Sequence, residues 1–199
     1  MPKLSAAATS PTSDTLSGNK RSTMPTPDIE HNTEQNITDI LRQERELTLP
    51  AFDPDIAWQL GNLIRSLAVE RGHAIVIDIR RFGQPHQQLF YTAFPGTTPD
   101  NARWVQRKVN TVARFHRSSY HVGYLLKRAN LSFSDRYNLP EEDYAAHGGC
   151  FPLNVTGAGV VGSITVSGLA QREDHELVVE AICRHTHRDF NAYRLSPES

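Results

Sequence analysis

The hydrophobic pattern changes period in the last third of the chain, where it predicts a hairpin followed by a helix. Residues 151–155 and 160–166 read as short strands, and the glycines between them suit a tight connection. Past Gly168 the apolar residues recur at helical spacing and acidic residues crowd the first turn, so a helix is predicted to begin near Gln171. We expect any chemical site to lie at the rim where this strand, turn and helix meet.

Side chains alternate along the second of these strands. Even positions from Val160 to Val166 are apolar or glycine, whereas odd positions from Val161 to Ser167 are mostly small and polar. The face with small residues leaves room for a closely packed helix, a ligand or a neighbouring subunit. The pattern is consistent with a helix, a ligand or a subunit at this face.

The first half of the chain predicts two helices and another hairpin. Residues 36–46 have helical spacing and should form a short helix. Asp53 stands before a proline, as an N-cap does, and opens a helix that Gly72 closes. Residues 74–79 and 88–94 are apolar runs of strand length separated by a short loop, which indicates a hairpin.

Two more helices separate this hairpin from the C-terminal one. Thr98 precedes a proline and opens a helix with an apolar stripe, and a second helix begins around Ser118 and Ser119. Residues 131–146 read as a long polar connection that packs over the surface through its aromatic residues. Strands joined by hairpins rather than crossovers predict an α+β fold, an antiparallel sheet of four to five strands flanked by helices.

Composition divides the chain into four parts. Residues 1–32 are rich in Ser, Thr, Pro and Ala and nearly lack large apolar residues, so this tail is expected to be disordered. Residues 33–52 hold the short helix and a linker, residues 53–190 the α+β domain, and residues 191–199 a flexible C-terminus.

Charge and composition narrow the range of partners. The 21 basic and 22 acidic residues give a net charge of −1, which makes no general case for nucleic acid. No apolar run approaches the length of a membrane span. The two cysteines form no CxxC pair and no signal-type apolar region stands at the N-terminus, so we expect a cytoplasmic protein.

The helix that follows Thr98 has a basic face. Trp104 lies four residues before Lys108, and Arg107 is next to it, so cations stand beside an aromatic ring. A solvated charged face is one interpretation, and a site for an anion or an acidic partner surface is the other.

The histidines do not predict a metal site. His185 and His187 are two residues apart on a helix and point to different faces, and no cysteine or carboxylate completes a set of ligands. Asp174 and His175 could serve as an acid and a base, but neighbours on a helix point about a hundred degrees apart and cannot form a dyad with each other. A capping Asp and a packed His are the structural alternative.

Several spaced motifs together resemble one family. They are, in chain order, Trp104 to Lys108, Ser118-Ser119, His147-Gly148-Gly149 with Phe151-Pro152-Leu153, Gly159 to Gly162, Val166 to Gly168, and Asp174-His175. From Pro54 to His187 the chain resembles the GlcG/HbpS-like family of haem-degrading-protein relatives, in the branch with Trp-x-x-Arg-Lys and Asp-His. The resemblance implies a profilin-like α+β domain, assembly into homo-oligomers and, in some members, haem binding.

The predicted site lies where the basic helix approaches the glycine turn and the start of the last helix. Its candidate ligand or interface residues are Trp104, Arg107, Lys108, Ser118, Ser119, His147, Gly148, Gly149, Ser167, Gly168, Asp174 and His175. Two cations and a helix N-terminus favour an anion such as a carboxylate, a phosphate or a haem propionate. An ion pair of Asp174 with Arg107 or Lys108 would instead make the cluster structural.

Three classes of function are consistent with these features. A non-catalytic, homo-oligomeric scaffold or adaptor for cytosolic proteins ranks first. A protein that binds haem or a small anion, with haem degradation as a further step, ranks second, and an enzyme of unknown reaction third. Ser167 lacks the context of a nucleophile elbow, so hydrolysis is not expected. The residues alone demand no cofactor, and haem is the one that the resemblance suggests.

Overall fold

The structure is a computed structural model that describes residues 27–197, so most of the predicted disordered tail lies outside the described residues. Helix α1 (Pro27–Glu46) begins nine residues before Asn36, where the sequence predicted its start, and takes in the last residues of that tail. Polar side chains explain the difference, because Thr33 and Asn36 are buried on the docking face of α1. An apolar stripe therefore does not mark where this helix begins.

The remaining predicted elements occur in the predicted order, and a short helix and a 3₁₀ turn are added to them. They are α2 (Pro54–Arg71), β1 (Val76–Arg81), β2 (Gln87–Ala93), α3 (Pro99–Phe115), α4 (Ser119–Ala129), α5 (Phe133–Tyr137), β3 (Cys150–Val155), β4 (Gly159–Ser167), α6 (Gln171–His185) and a 3₁₀ turn (Phe190–Ala192). The strands pair antiparallel in the order β2-β1-β4-β3. The predicted α+β fold with a four-stranded antiparallel sheet is confirmed. None of the helices within residues 27–197 is long and apolar enough to cross a membrane.

The main core lies between one face of the sheet and helices α2 and α6. Ile77 and Ile164 point into it from β1 and β4, Leu60 and Ile64 from α2, and Val178 from α6. All five side chains are fully buried. Burial of such a side chain stabilises the fold by about 1.5–3 kcal/mol, so this layer holds the sheet in place.

Helix α3 covers the other face of the sheet, where the sequence allowed a helix, a ligand or a neighbouring subunit. Val109 of α3 packs against Cys150 of β3. Thr165 of β4 is fully buried below the helix, and its hydroxyl donates to the Cys150 Sγ at 3.0 Å. Small residues are needed on β4 because the helix approaches closely. At the Ser167 end of the strand this face borders a cleft.

The N-cap predicted for α2 is present. The Ile56 N–H donates to Asp53 Oδ1 at 2.8 Å, and Gly72 closes the helix with a φ of 66°. We expect Asp53→Ala to lower the free energy of unfolding by about 1 kcal/mol, because one N–H at the helix start loses its acceptor. Urea denaturation measures this loss, and Gln59→Ala, an exposed change within the same helix, is the control that should stay near the native value.

Residues 131–146 pack as predicted but contain a helix that was not. Ser132 and Asp135 cap α5 reciprocally, and this five-residue helix buries Phe133. Tyr137 lies 4.7 Å from the ring of Phe115, measured between centroids. A single turn is too short for hydrophobic periodicity, which explains why the sequence pattern did not reveal it.

The segment after residue 190 was predicted to be flexible, yet as far as residue 197 it is packed against α1. Leu195 is buried with Ile40, and the Gln43 Nε2–H donates to the Tyr193 carbonyl at 2.6 Å. The prediction of a free end fails here because α1 supplies both an apolar surface and a donor that only the folded chain brings near. Residues 198 and 199 lie outside the described part.

Candidate functional site

A cleft of about 270 Å³ opens between α3, the glycine turn before β3 and the connection from β4 to α6. These three segments are far apart in sequence, and the sheet brings them together. Six of the predicted site residues line the cleft: Trp104, Lys108, His147, Ser167, Gly168 and Asp174. The predicted meeting of the basic helix with this rim of the sheet is therefore present.

A buried ion pair stands in the wall of the cleft. Lys108 Nζ donates to Asp174 Oδ2 at 2.9 Å and to the Val166 carbonyl at 3.0 Å. The Leu169 N–H donates to Asp174 Oδ1 at 3.0 Å. Burial raises the pKa of the Asp174 carboxyl, and the Lys108 ammonium opposes that rise. The sequence predicted either Arg107 or Lys108 as the partner of Asp174, and Lys108 is the one that pairs with it.

The glycine turn fits closely against this pair. Gly149 has a φ of 112°, and a Cβ there would lie 2.4 Å from the Val166 carbonyl oxygen and 2.8 Å from Lys108 Nζ. A Cβ on Gly148 would lie 1.8 Å from the Gln171 carbonyl oxygen. Both glycines are therefore required for the turn to approach β4 and α6, and they contribute shape rather than a ligand.

An aromatic pair forms one side of the cleft. The rings of Trp104 and His147 meet edge to face, with centroids 4.9 Å apart. His147 as a whole is exposed, but its ring is partly shielded from solvent, which lowers its pKa. The positive charges of Lys108 and Arg107 lower this pKa further. The imidazole is thus neutral at pH 7 and can donate one hydrogen bond and accept another.

Ser167 is the polar residue of the cleft whose hydroxyl has no partner. The exposed fraction of the residue is 5%, and its backbone pairs with Val76 of β1, but its hydroxyl makes no hydrogen bond with any group in the range 27–197. The hydroxyl oxygen stays accessible to solvent from the cleft. This group is therefore available to a ligand in the cleft.

Three predicted site residues lie outside the cleft and support it. Arg107 stacks on Trp104, with its guanidinium carbon 4.4 Å from the ring centroid, and donates to the Glu141 carbonyl at 2.6 Å. Ser118 caps α4, and Ser119 Oγ donates to the His147 carbonyl. These contacts hold the glycine turn and the segment before it in place.

His175 faces away from the cleft, as the helical step after Asp174 predicts. It is fully buried, and its Nε2 lies 2.8 Å from Gln43 Oε1 on α1. Because the Gln43 amide nitrogen donates to the Tyr193 carbonyl, Oε1 is the acceptor and Nε2 carries the proton. Burial lowers the pKa of His175 to about 3. This residue belongs to the contact between α6 and α1.

The sequence did not single out three residues that line the cleft: Asn101, Leu169 and Gln171. For Asn101 a signal was present, because Trp104 and Lys108 follow it at three and seven residues, which places all three on one helix face. Leu169 and Gln171 flank the start of α6, and no periodicity marks them. Only the path of the chain between β4 and α6 brings them here.

A larger groove of about 600 Å³ lies on the other side of Leu169, along α6. Two of its arginines share one carboxylate: Glu180 Oε1 accepts from Arg71 at 2.8 Å and from Arg184 at 2.7 Å. We assign the candidate site to the smaller cleft because six of the predicted site residues line it, together with an unpaired hydroxyl. In no part of residues 27–197 do three His, Cys, Asp or Glu side chains converge as metal ligands would.

Comparison with known sequences points to one family. The model described as haem degrading protein HbpS-like matches residues 52–183, a range that contains every residue of the cleft. A UPF0303 protein of Acidobacterium capsulatum is 53% identical over 161 residues, which cover 81% of this chain and 96% of that protein. A UPF0303 protein of Burkholderia ambifaria is 54% identical over 169 residues, or 85% and 98% of the two chains.

Comparison with solved structures agrees on the fold. The crystal structure of the Ybr137w protein superposes with a TM-score of 0.69 at 28% sequence identity. The superposition covers 76% of this chain and 87% of that one.

Proposed function

The chain belongs to the HbpS-like family, and we propose that it is a non-catalytic binding protein whose cleft takes a small anionic ligand such as a carboxylate. The observation that carries this proposal is the Ser167 hydroxyl, which lines the cleft and has no hydrogen-bond partner among the described residues. A ligand oxygen would satisfy it.

The cleft favours an anion because it presents hydrogen-bond donors, not because its lining carries a net positive charge. Lys108 and Asp174 neutralise each other, but the ammonium has three N–H groups, and it uses two of them on described residues. The start of α6 also lies at the cleft, and its N-cap residue Ala170 offers no side chain to the first N–H groups. Free N–H groups and the positive end of a helix dipole attract a carboxylate or phosphate.

The volume of the cleft limits the ligand. Pockets for drug-sized molecules start at about 300 Å³, so a cleft of about 270 Å³ suits a smaller molecule. Haem, which the family description names, does not fit the residues present. Trp104 and Leu169 are the large apolar residues of the lining, and two such side chains are too few to cover both faces of a macrocycle. His147 would be the one imidazole available from the lining.

A titration with acetate, and separately with inorganic phosphate, tests the proposal. We expect acetate to shift the indole N–H resonance of Trp104, which lines the cleft, and to leave that of Trp58 unchanged on the far helix α2. Ser167→Ala should weaken acetate binding about tenfold, because a hydrogen bond to a charged group contributes about 1.5–3 kcal/mol. Ser66→Ala, an exposed serine of α2, is the matched control and should bind acetate like the native chain.

The two indole signals separate the outcomes. If acetate and phosphate move neither resonance, or move both equally, the cleft is not an anion site. If Ser167→Ala binds as tightly as the native chain, the hydroxyl does not contact the ligand and the proposal loses the observation that carries it.

A protein-binding role, the scaffold that the sequence ranked first, is the second candidate. The observation that favours it is the exposure of two aromatic residues, Trp58 at 63% and Tyr91 at 46%. Tryptophan and tyrosine are enriched among the residues that dominate protein interfaces. Neither residue lines the cleft, so the two roles do not compete for one surface.

A further inference from the structure

The groove of about 600 Å³ follows one face of α6, and Leu169 separates it from the cleft. The end of α2 borders it through Arg71, and the chain after α6 turns back through residues 188–194 to border it as well. The residues that α6 contributes recur at helical spacing, so they share one face: Glu173, Glu176, Leu177, Glu180 and Arg184. The volume lies within the range of about 300–1,000 Å³ that is usual for small-ligand sites.

Two guanidiniums share one carboxylate near the C-terminal end of α6. Arg71 and Arg184 both donate to Oε1 of the buried Glu180, at 2.8 Å and 2.7 Å. A guanidinium has several N–H donors, so each of these arginines keeps donors for a further oxygen. The pair of cations therefore exceeds the charge of its carboxylate.

Arg188 adds a third guanidinium to this end of the groove. It donates to the Tyr193 hydroxyl at 3.1 Å and makes no ion pair with any residue between 27 and 197. Asp189, the other carboxylate at this end, accepts from the Asn191 N–H at 3.0 Å. Three guanidiniums beside two carboxylates leave a net positive charge, and their planar donors suit a carboxylate ligand.

The carboxylates near the start of α6 lack hydrogen-bond donors. Glu176 lies 3.6 Å from Arg172 Nε and 3.7 Å from Arg194 Nε, and both distances exceed a hydrogen bond. Its Oε1 is buried, and neither of its oxygens accepts a hydrogen bond from a described residue. Glu173, one turn earlier, is exposed and has no ion pair within the same residues. The helix dipole favours acids here but gives Glu176 no donor, whereas an ammonium group would.

The separation of the two ends limits the length of a ligand. Glu180 and Arg184 follow Glu176 by four and eight residues, which is about 6 and 12 Å along the helix axis. An extended peptide of three residues spans about 10 Å. Leu177 lies between the ends and Phe190 also lines the groove, so the middle of such a ligand meets apolar side chains.

We propose that this groove binds a short peptide with free termini, extended and about three residues long. The peptide carboxylate takes donors of Arg71, Arg184 and Arg188, and its ammonium group donates to Glu176. A simple anion would leave Glu176 without a donor, and a single amino acid carries both charges on one carbon and reaches one end at a time. This site is distinct from the anion cleft and does not depend on it.

Calorimetric titration of the full-length chain with the tripeptide Ala-Leu-Ala tests the proposal. We expect saturable binding. Acetylation of the peptide amine, or amidation of its carboxylate, should each raise the dissociation constant at least about tenfold, because each removes charge-assisted hydrogen bonds. Free leucine should also bind at least about tenfold more weakly than Ala-Leu-Ala, because it engages one end of the groove.

Arg184→Gln assigns the binding to the groove. The Arg184 side chain is half exposed and Glu180 keeps Arg71, so the variant should fold, which circular dichroism checks. It should bind Ala-Leu-Ala about tenfold more weakly than the native chain does, but bind the amidated peptide equally, because that peptide has no carboxylate. Arg103→Gln, which changes an exposed arginine of α3 outside the groove, is the matched control and should bind like the native chain.

Three results would overturn the proposal: no uptake of Ala-Leu-Ala at millimolar concentration, equal affinity for the capped peptides or free leucine, and native affinity in Arg184→Gln. Ser167→Ala should bind Ala-Leu-Ala like the native chain, because Ser167 does not line the groove. If this variant loses the peptide together with acetate, the peptide occupies the cleft, so the groove proposal fails while the anion proposal stands.

Discussion

Lys108→Met is expected to lower the free energy of unfolding by about 3–5 kcal/mol, the cost of removing one partner from a buried ion pair. Methionine keeps an unbranched side chain of nearly the same length but removes the ammonium from Asp174, whose side chain is 3% exposed, and from the Val166 carbonyl. The carboxylate keeps the Leu169 N–H but has no cation near it. Urea denaturation at pH 7 measures the loss.

The double variant Lys108→Met/Asp174→Asn is the control for this loss. The asparagine oxygen can still accept from Leu169, and no buried charge remains, so we expect at least half of the lost stability to return. In the single variant the loss should also shrink at acidic pH, because burial raises the pKa of Asp174 and its protonation removes the unpaired charge. A loss below about 1 kcal/mol would show that the pair behaves like a solvated surface ion pair.

The second large effect is a fall of roughly 2–3 kcal/mol in the free energy of unfolding between neutral pH and pH 4.5, contributed by His175. Burial lowers the pKa of this residue to about 3 in the folded chain, with smaller contributions from Arg172 and His121. In the unfolded chain its pKa is about 6.5. Below pH 6.5 the unfolded state therefore binds a proton that the folded state does not. The contribution is complete above pH 6.5 and is lost progressively towards pH 3.

Urea denaturation across this range of pH measures the effect. His175→Gln removes the titrating group, so its stability should depend less steeply on pH between 6.5 and 4.5 than that of the native chain. His187→Asn is the comparison variant, because His187 is exposed and asparagine tolerates its φ of 56°. It should follow the native curve. Equal slopes for the native chain and His175→Gln would mean that His175 is protonated in the folded state.

Local chemistry determined the elements of this fold. Asp53 and Gly72 bound α2 because a capping carboxylate and a left-handed glycine act within one turn of the helix. Alternation along β4 and the short connections predicted antiparallel hairpins, since neither signal depends on distant residues. Periodicity needs several turns of apolar residues. The prediction therefore missed α5, which is a single turn, and the start of α1, whose buried residues are polar.

The sequence also predicted six of the nine residues that line the cleft, because the end of β4, the start of α6 and the basic face of α3 follow from the order of the elements. It could not determine the roles of those residues. Which cation pairs with Asp174 depends on how α3 is rotated about its axis when it packs on β4, because Arg107 and Lys108 point about 100° apart on that helix. A role of this kind depends on distances between segments that no local pattern contains.

By itself the sequence determined an antiparallel α+β domain and the face of each amphipathic element. Only the tertiary structure decided that Lys108 closes on Asp174, that Ser167 stays without a partner among the described residues, and that His175 faces Gln43 of α1. Periodicity reports on neighbours three or four residues apart, whereas Gln43 and His175 are separated by 132 residues. Burial and pairing at that range are set by the packing of whole layers.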